Sequence, residues 1–374
     1  MRFKPIYFAS SRRAVAKSAL AVFMAASLTV SQSALACTSF LLPTTDGGGV
    51  YGRTMEFAFP LESKAMVVPR QFELNSTLAD DKPGMAWTSK YAAVGLNALG
   101  ITAFVDGVNE KGLAGGILYF PGFAEYTDPA KANPEKSLAP WDFLTWALTN
   151  FATVAEVKEA IDGVSVVAVV QKDMGITPPV HYTLHDATGA SLVIEPIDGT
   201  LKVYDNPLGV MTNSPPFDWH MTNLSNYLKI SPFNAPALEI GGQKFEQLGQ
   251  GSGLLGIPGD PTPPSRLIRA LGYTLSAEKR PSGIESVRLA EHVLNNFDIP
   301  KGWIRDKAAK DSNPEYTQWS AVADLNNKKY YVKTYEDQVL REIDLMSFDL
   351  DAKTVVSAPL QPQTAAPALP FPSR

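Results

Sequence analysis

The chain has 374 residues, 45% of them hydrophobic, with 33 Lys and Arg against 38 Asp and Glu and a single cysteine. The formal charge of −5 argues against nucleic acid or an anionic membrane as the main partner. One cysteine excludes an internal disulfide, and the length provides material for one large domain or two.

Residues 1–17 carry Arg2, Lys4, Arg12, Arg13 and Lys17 and no acid. Residues 18–30 are an almost uncharged apolar run, and Ala34-Leu35-Ala36 puts small residues at −3 and −1 of a cleavage position. The pattern reads as a cleaved export signal over 1–36. Its apolar run is shorter than the ~20 residues of a membrane-spanning helix. Ser11-Arg12-Arg13 hints at a twin-arginine route. Loss of these five basic residues leaves 28 Lys and Arg against 38 acids, a charge of −10. It also makes Cys37 the first residue, with a thiol and a free α-amine on one Cα.

Two β-prone segments, 37–43 and 49–57, flank Thr44-Thr45-Asp46-Gly47-Gly48, a hairpin turn signal. A turn centred near Asp46-Gly47 makes paired positions sum to about 93, which places Cys37 opposite Glu56 and near Arg53. Further strands are predicted at 91–97, 101–107 and 113–120, and the apolar spacing of 137–160 predicts two short helices. Strand signals resume at 164–171, 179–186, 191–196 and 200–211. Helices follow at 264–277 and 282–296, then closing strands at 316–324, 328–335 and 339–346. Residues 352–374, dominated by Ala, Pro, Gln and Ser, read as an extended or disordered tail. Without a regular βαβ alternation the order predicts an α+β fold over 37–351, with mixed or antiparallel sheets packed face to face and helices outside.

A thiol with a pKa of about 8.5 beside an α-amine of about 7.7–8.0 can pass its proton to that amine near neutral pH. Thiolate attack on an amide carbonyl creates an oxyanion, which needs fixed donors such as the Asn213 amide and a main-chain N–H. Collapse releases the amine and leaves a thioester that water hydrolyses. Among the histidines His181, His185, His220 and His292, only the first two are close in sequence. On a strand they stand about 13 Å apart, too far for one ion, so no metal is inferred. Gly47-Gly48-Gly49 is not followed by Lys-Ser/Thr and no Gly-x-Ser-x-Gly occurs, which disfavours a nucleotide cofactor and a serine hydrolase.

From Cys37 onward the chain resembles the choloylglycine hydrolase family of N-terminal nucleophile amidases. The resemblance lies in Cys37-Thr38-Ser39 with Gly52-Arg53-Thr54-Met55-Glu56-Phe57, and in Val210-Met211-Thr212-Asn213-Ser214-Pro215 with Trp219-His220. It continues through Leu255-Gly256-Ile257-Pro258-Gly259-Asp260 with Ser265-Arg266, to Tyr316-Thr317 and Tyr330–Tyr335-Glu336 in the closing strands. It implies a four-layer αββα sandwich with two antiparallel sheets, no cofactor, and a homotetramer. It implies Cys37 as nucleophile, with Arg53 and Glu56 organising its thiol and amine. Asn213 and the backbone N–H of Tyr119 would form the oxyanion hole, and Arg266 would support the site electrostatically. The family usually has Asp where this chain has Glu56, a displacement of about 1.5 Å for the carboxylate.

Tyr119, within Leu118-Tyr119-Phe120-Pro121-Gly122, is similar to the penicillin V acylase branch more than to the bile salt hydrolases. The export signal resembles the Gram-negative branch, which implies a periplasmic enzyme acting on penicillin V or N-acyl-homoserine lactones. Loops 57–70 and 123–136 are the expected walls of an apolar acyl pocket. Two alternatives stand beside this reading. One is a conjugated bile salt hydrolase; the other is a lipid-anchored binding protein, because Leu35-Ala36-Cys37 partly resembles a lipoprotein processing site.

Overall fold

Cys37–Pro43 (β1) and Gly49–Phe57 (β2) form the predicted hairpin, and the computed structural model describes residues 36–305, 314–363 and 365–370. Most of the export-signal expectation, residues 1–35, lies outside the described residues. Gly47 and Gly48 close the turn at φ of +84° and +79°, a conformation that side chains resist. The register differs from the expected one by a single residue. Cys37 pairs with Met55 and Ser39 with Arg53, because the turn is centred on Asp46 itself. Since side chains alternate along a strand, Cys37, Arg53 and Met55 share one face of the sheet, while Thr38 and Glu56 point to the other.

This hairpin is central to a six-stranded antiparallel sheet. The eight-stranded second sheet begins with Lys64–Val68 (β3), Ala93–Leu96 (β4), Asp106–Asn109 (β5) and Ala114–Tyr119 (β6). It continues with Val180–His185 (β7), Ser191–Ile197 (β8) and Thr200–Asp205 (β9). The first sheet is completed by Val210–Met211 (β10), Tyr316–Asp324 (β11), Lys329–Thr334 (β12) and Arg341–Asp344 (β13), in the order β10-β1-β2-β11-β12-β13. The last strand, Val356–Pro359 (β14), joins the second sheet, whose order is β9-β8-β7-β6-β5-β4-β3-β14.

That last strand falls within the segment expected as an extended or disordered tail from residue 352; it is extended, exposed and paired at the sheet edge. Val356–Pro359 pairs antiparallel with β3, and the Gln363 N–H donates to Asp337 Oδ2 at 3.0 Å. Without it β3 would be a bare sheet edge, and Pro359 costs no ladder bond on a strand with nothing beyond it. The strand expected at 164–171 shortens to Ser165–Val166, and that expected at 101–107 is displaced to β5.

Helices Phe143–Asn150 (α1) and Val154–Ala160 (α2) cover the outer face of the second sheet, where Phe143, Leu144 and Leu148 meet Phe104, Leu113 and Tyr182. A short helix, Phe217–Asn223 (α3), follows β10. Helices Pro263–Ser276 (α4) and Ile284–Leu294 (α5) cover the first sheet, burying Leu267, Ile268, Val287 and Val293 against Phe40, Leu42 and Val50. Between the sheets Leu41, Tyr51 and Met55 pack with Val94, Leu96, Val108 and Leu118. The result is a four-layer αββα sandwich in which β1 and β2 are buried on both faces. Residues 235–251, including the hairpin Leu238–Ile240 and Gln243–Phe245, are exposed throughout and carry Leu238, Ile240, Phe245 and Leu248 outward.

Candidate active site

Alternation along the hairpin divides the site into two halves. On the face between the sheets, Arg53 brings Nη2 to 3.7 Å from the Cys37 sulfur. The same guanidinium donates to the Val105 carbonyl at 2.5 Å and to the Ile117 carbonyl, both on the facing sheet's side. Asp106 Oδ2 lies 3.4 Å from Nη1, and Asp106 also accepts the hydroxyls of Tyr51 and Tyr330, each at 2.6 Å. These side chains are buried, so the charge of Arg53 is neutralised within the core. Gly116 makes the room: a Cβ there would stand 2.6 Å from the Tyr51 oxygen and 3.1 Å from Arg53 Nη1. Burial pushes the Cys37 thiol up, and the Arg53 charge opposes that rise.

On the face toward α4, Glu56 accepts the Thr317 hydroxyl at 2.8 Å through one oxygen, while Oε2 is buried without a hydrogen-bond partner. Burial pushes its carboxyl up to about 8, against the pull of Arg266. Arg266, in the first turns of α4, donates to the Cys37 carbonyl, to Thr38 Oγ1 at 2.9 Å and to Asn213 Oδ1 at 2.7 Å. Pro263 and Pro264 open this helix at positions whose N–H groups would have no intrahelical acceptor.

Asn213 follows β10 and joins the two halves. Its Oδ1 accepts the Cys37 N–H at 2.8 Å, and its Nδ2 donates to the Tyr119 carbonyl at 2.8 Å. A carboxamide has two N–H donors, so the second is the one available to an oxyanion. The loop carrying Asn213 is held by two histidines. His220 Nε2 lies 2.9 Å from the Asn213 carbonyl, while His181 is set between the Thr212 carbonyl at 3.1 Å and Glu195 at 3.2 Å.

The structure thus gathers Cys37, Arg53, Glu56, Asn213, Arg266 and Tyr119 at one place. Sequence reasoning gave no role to Asp106 and Thr317, which touch Arg53 and Glu56 respectively, to Tyr51 and Tyr330, which donate to Asp106, or to Glu315. The Ala36 N–H donates to Glu315 Oε1. A weak signal existed for this last acid, which immediately precedes the Tyr316-Thr317 motif.

An apolar cavity opens at Cys37, lined by Met55, Phe57, Leu61, Ile117, Tyr119 and Met174 among others. The expected first wall contributes Phe57 and Leu61. The expected second wall, 123–136, contributes none of the lining; segments 98–101 and 171–178 take its place because they border β4 and β7 beside the thiol. Gln171 lines the cavity with its amide already engaged, by Asp173 at 3.1 Å and by the Met174 N–H at 2.7 Å.

A cysteine thiol on a central strand, beside an arginine, an asparagine and an apolar cavity, has counterparts among known proteins. The model for linear amide C–N hydrolases of the choloylglycine hydrolase family matches residues 37–358. The chain belongs to that family. As a choloylglycine hydrolase family member it is a linear amide hydrolase. The bile salt hydrolase/transferase of Clostridium perfringens is 33% identical over 323 residues, 85% of this chain and 95% of that protein. The penicillin V acylase of Pectobacterium atrosepticum is 28% identical over 353 residues, 88% of this chain and 86% of that one. Among solved structures, a mutant conjugated bile acid hydrolase from Clostridium perfringens superposes with a TM-score of 0.79 at 30% identity, covering 89% of this chain and all of that one. Penicillin V acylase from Agrobacterium tumefaciens gives 0.71 at 25% identity, covering 87% and 92%. Within this choloylglycine hydrolase frame the bile salt hydrolases rank ahead of the penicillin V acylases, the reverse of the order that Tyr119 suggested.

Proposed function

We propose that the chain, once it begins at Cys37, hydrolyses the amide of an apolar carboxylic acid, with conjugated bile salts as the leading substrates. The observation that carries this reading is the thiol of Cys37 on the wall of an apolar cavity, 3.7 Å from the Arg53 guanidinium. The acyl group enters the cavity and its carbonyl carbon meets the sulfur. The Cys37 α-amine takes the thiol proton as the S–C bond forms, and the carbonyl oxygen becomes an oxyanion that the free Asn213 N–H and the Tyr119 N–H stabilise. The amine then returns its proton to the leaving nitrogen as the C–N bond breaks. Water attacks the thioester with the α-amine again as base, which frees the acid and restores the thiol. The identity of 33% to a bile salt hydrolase supports the steroid conjugate.

A second reading, penicillin V or N-acyl-homoserine lactones, is favoured by Tyr119 at the cavity wall. The reading includes export to the periplasm, supported by the basic and apolar pattern of residues 1–36. It also includes a homotetramer, supported by the exposed apolar side chains of the 235–251 arm. Amine release from glycocholate, taurocholate, penicillin V and a series of acyl-homoserine lactones tests the substrate, with Cys37→Ala as control. Faster release from the bile salts upholds the leading reading, and faster release from penicillin V or the lactones replaces it with the second. An N-terminal peptide mass showing a diacylated Cys37 would rule out both in favour of a lipid-anchored protein.

A further inference from the structure

Glu315 stands immediately before β11, bridged across the backbone to Ile304. Only 4% of its surface is exposed, and its Oε1 accepts the N–H of Ala36, the residue before the nucleophile. Burial raises its carboxyl to about 7. Glu56 is as deeply buried and keeps one oxygen without a partner. Two buried carboxyl groups therefore flank the backbone at residues 36 and 37, and the cation near both is Arg266. Arg266 is itself already committed to the Cys37 carbonyl, Thr38 and Asn213.

Removal of residues 1–36 changes this balance at one point. It takes away the N–H that Glu315 holds and creates an ammonium at Cys37 with three donors. One donor has its acceptor in place, since Asn213 Oδ1 already receives the Cys37 N–H. Consecutive residues are about 3.8 Å apart, a distance that rotation about the side-chain bonds of a glutamate spans. The departure of Ala36 also clears the space between the two groups.

We propose that Glu315 is a positioning residue for the Cys37 α-amine, taking up the ammonium as a second carboxylate beside Glu56. The proposal rests on the reading that the processed chain begins at Cys37. The amine then faces the thiol from β1, Arg53 and Glu56 from β2, Asn213 after β10, Arg266 from α4, and Glu315 from the segment entering β11. Arg53 carries Asp106 behind it, with the hydroxyls of Tyr51 and Tyr330. The guanidinium groups weaken the amine's hold on a proton and the carboxylates strengthen it. Glu315 restores enough proton affinity for the amine to receive the thiol proton, and it fixes the nitrogen against rotation about N–Cα.

The single cysteine makes the amine directly observable: feeding 13C-labelled cysteine gives one Cα signal, which follows the amine, and one Cβ signal, which follows the thiol. The processed protein is purified after export and its first residue is confirmed by intact mass. In Glu315→Gln the Cα titration midpoint falls by about one pH unit, the lower end of what an adjacent opposite charge supplies. Glu315→Asp shows a smaller fall in the same direction, and this variant is the one to read if the amide form does not fold. An unmoved midpoint in both variants overturns the proposal, even if both lose thermal stability, because a structural role moves stability alone. A mass that retains Ala36 overturns the processing reading instead, and is seen before any titration is run.

Discussion

Asp106 Oδ2 lies 3.4 Å from the guanidinium of Arg53, and neither side chain has any solvent exposure. An uncompensated buried charge is expensive, so Asp106→Ala should destabilise the fold by about 3–5 kcal/mol. Asp106→Asn, whose single carbonyl oxygen still accepts one of the two tyrosine hydroxyls, should cost less. Urea midpoints of the two variants against the parent check the order.

Cys37→Ala should abolish amide hydrolysis, a loss of at least about 10³-fold, while leaving the fold intact. The substitution removes one buried sulfur and no backbone hydrogen bond. Product amine assays alongside far-ultraviolet circular dichroism separate the two effects; residual turnover near the parental rate would place the nucleophile elsewhere.

Asn213→Ala removes the one side chain that touches both the Cys37 N–H and the Tyr119 carbonyl. Loss of an oxyanion donor typically costs about 10²–10³ in kcat, and KM should change far less. Steady-state kinetics on whichever amide proves active reads this split. A change confined to KM would assign Asn213 to binding.

Gly116→Ala should destabilise by about 1–3 kcal/mol, because the new methyl meets the Tyr51 oxygen at 2.6 Å. Adding Tyr51→Phe removes that oxygen and should recover part of the loss. Thermal midpoints of the single and double variants measure the coupling; additive losses would show that the strain is carried by the backbone.

Burial lowers His185 from 6.5 to about 3, so the folded state holds it neutral while the unfolded chain protonates it first. Its contribution to stability is therefore complete above pH 6.5 and is lost as pH falls toward about 3. Replacing His185 with Gln should flatten this part of the stability curve. Denaturant midpoints between pH 7 and pH 4 test it, and equal slopes for parent and variant would contradict it.

Much of this was legible in the residues. Two β-prone runs and the turn residues of Thr44–Gly48 located the first hairpin, and the apolar spacing of 137–160 located two helices. The motifs around Cys37, Asn213 and Arg266 located the site. What escaped notice had weak local signals. A five-residue turn leaves the register uncertain by one, and only the observed centring on Asp46 fixes it. Asp106 sits in Asp106-Gly107-Val108-Asn109, where an acid among turn-prone residues looks solvated, and only the packing of two sheets makes it a buried partner of Arg53. Val356–Pro359 lacks a periodic pattern because an edge strand needs little more than an open neighbour.

The turn at Thr44–Gly48 lies far from the chemistry, yet its length decides which residues meet there. Surface loops ordinarily accept an added or deleted residue, but here one residue more or less would shift β1 against β2 by a single step. The thiol would then look toward the helices while the guanidinium still looked toward the other sheet. A polar turn of five residues, three of them exposed, is thus as intolerant of insertions as the buried strands it joins, and a map of tolerated insertions should show a gap there.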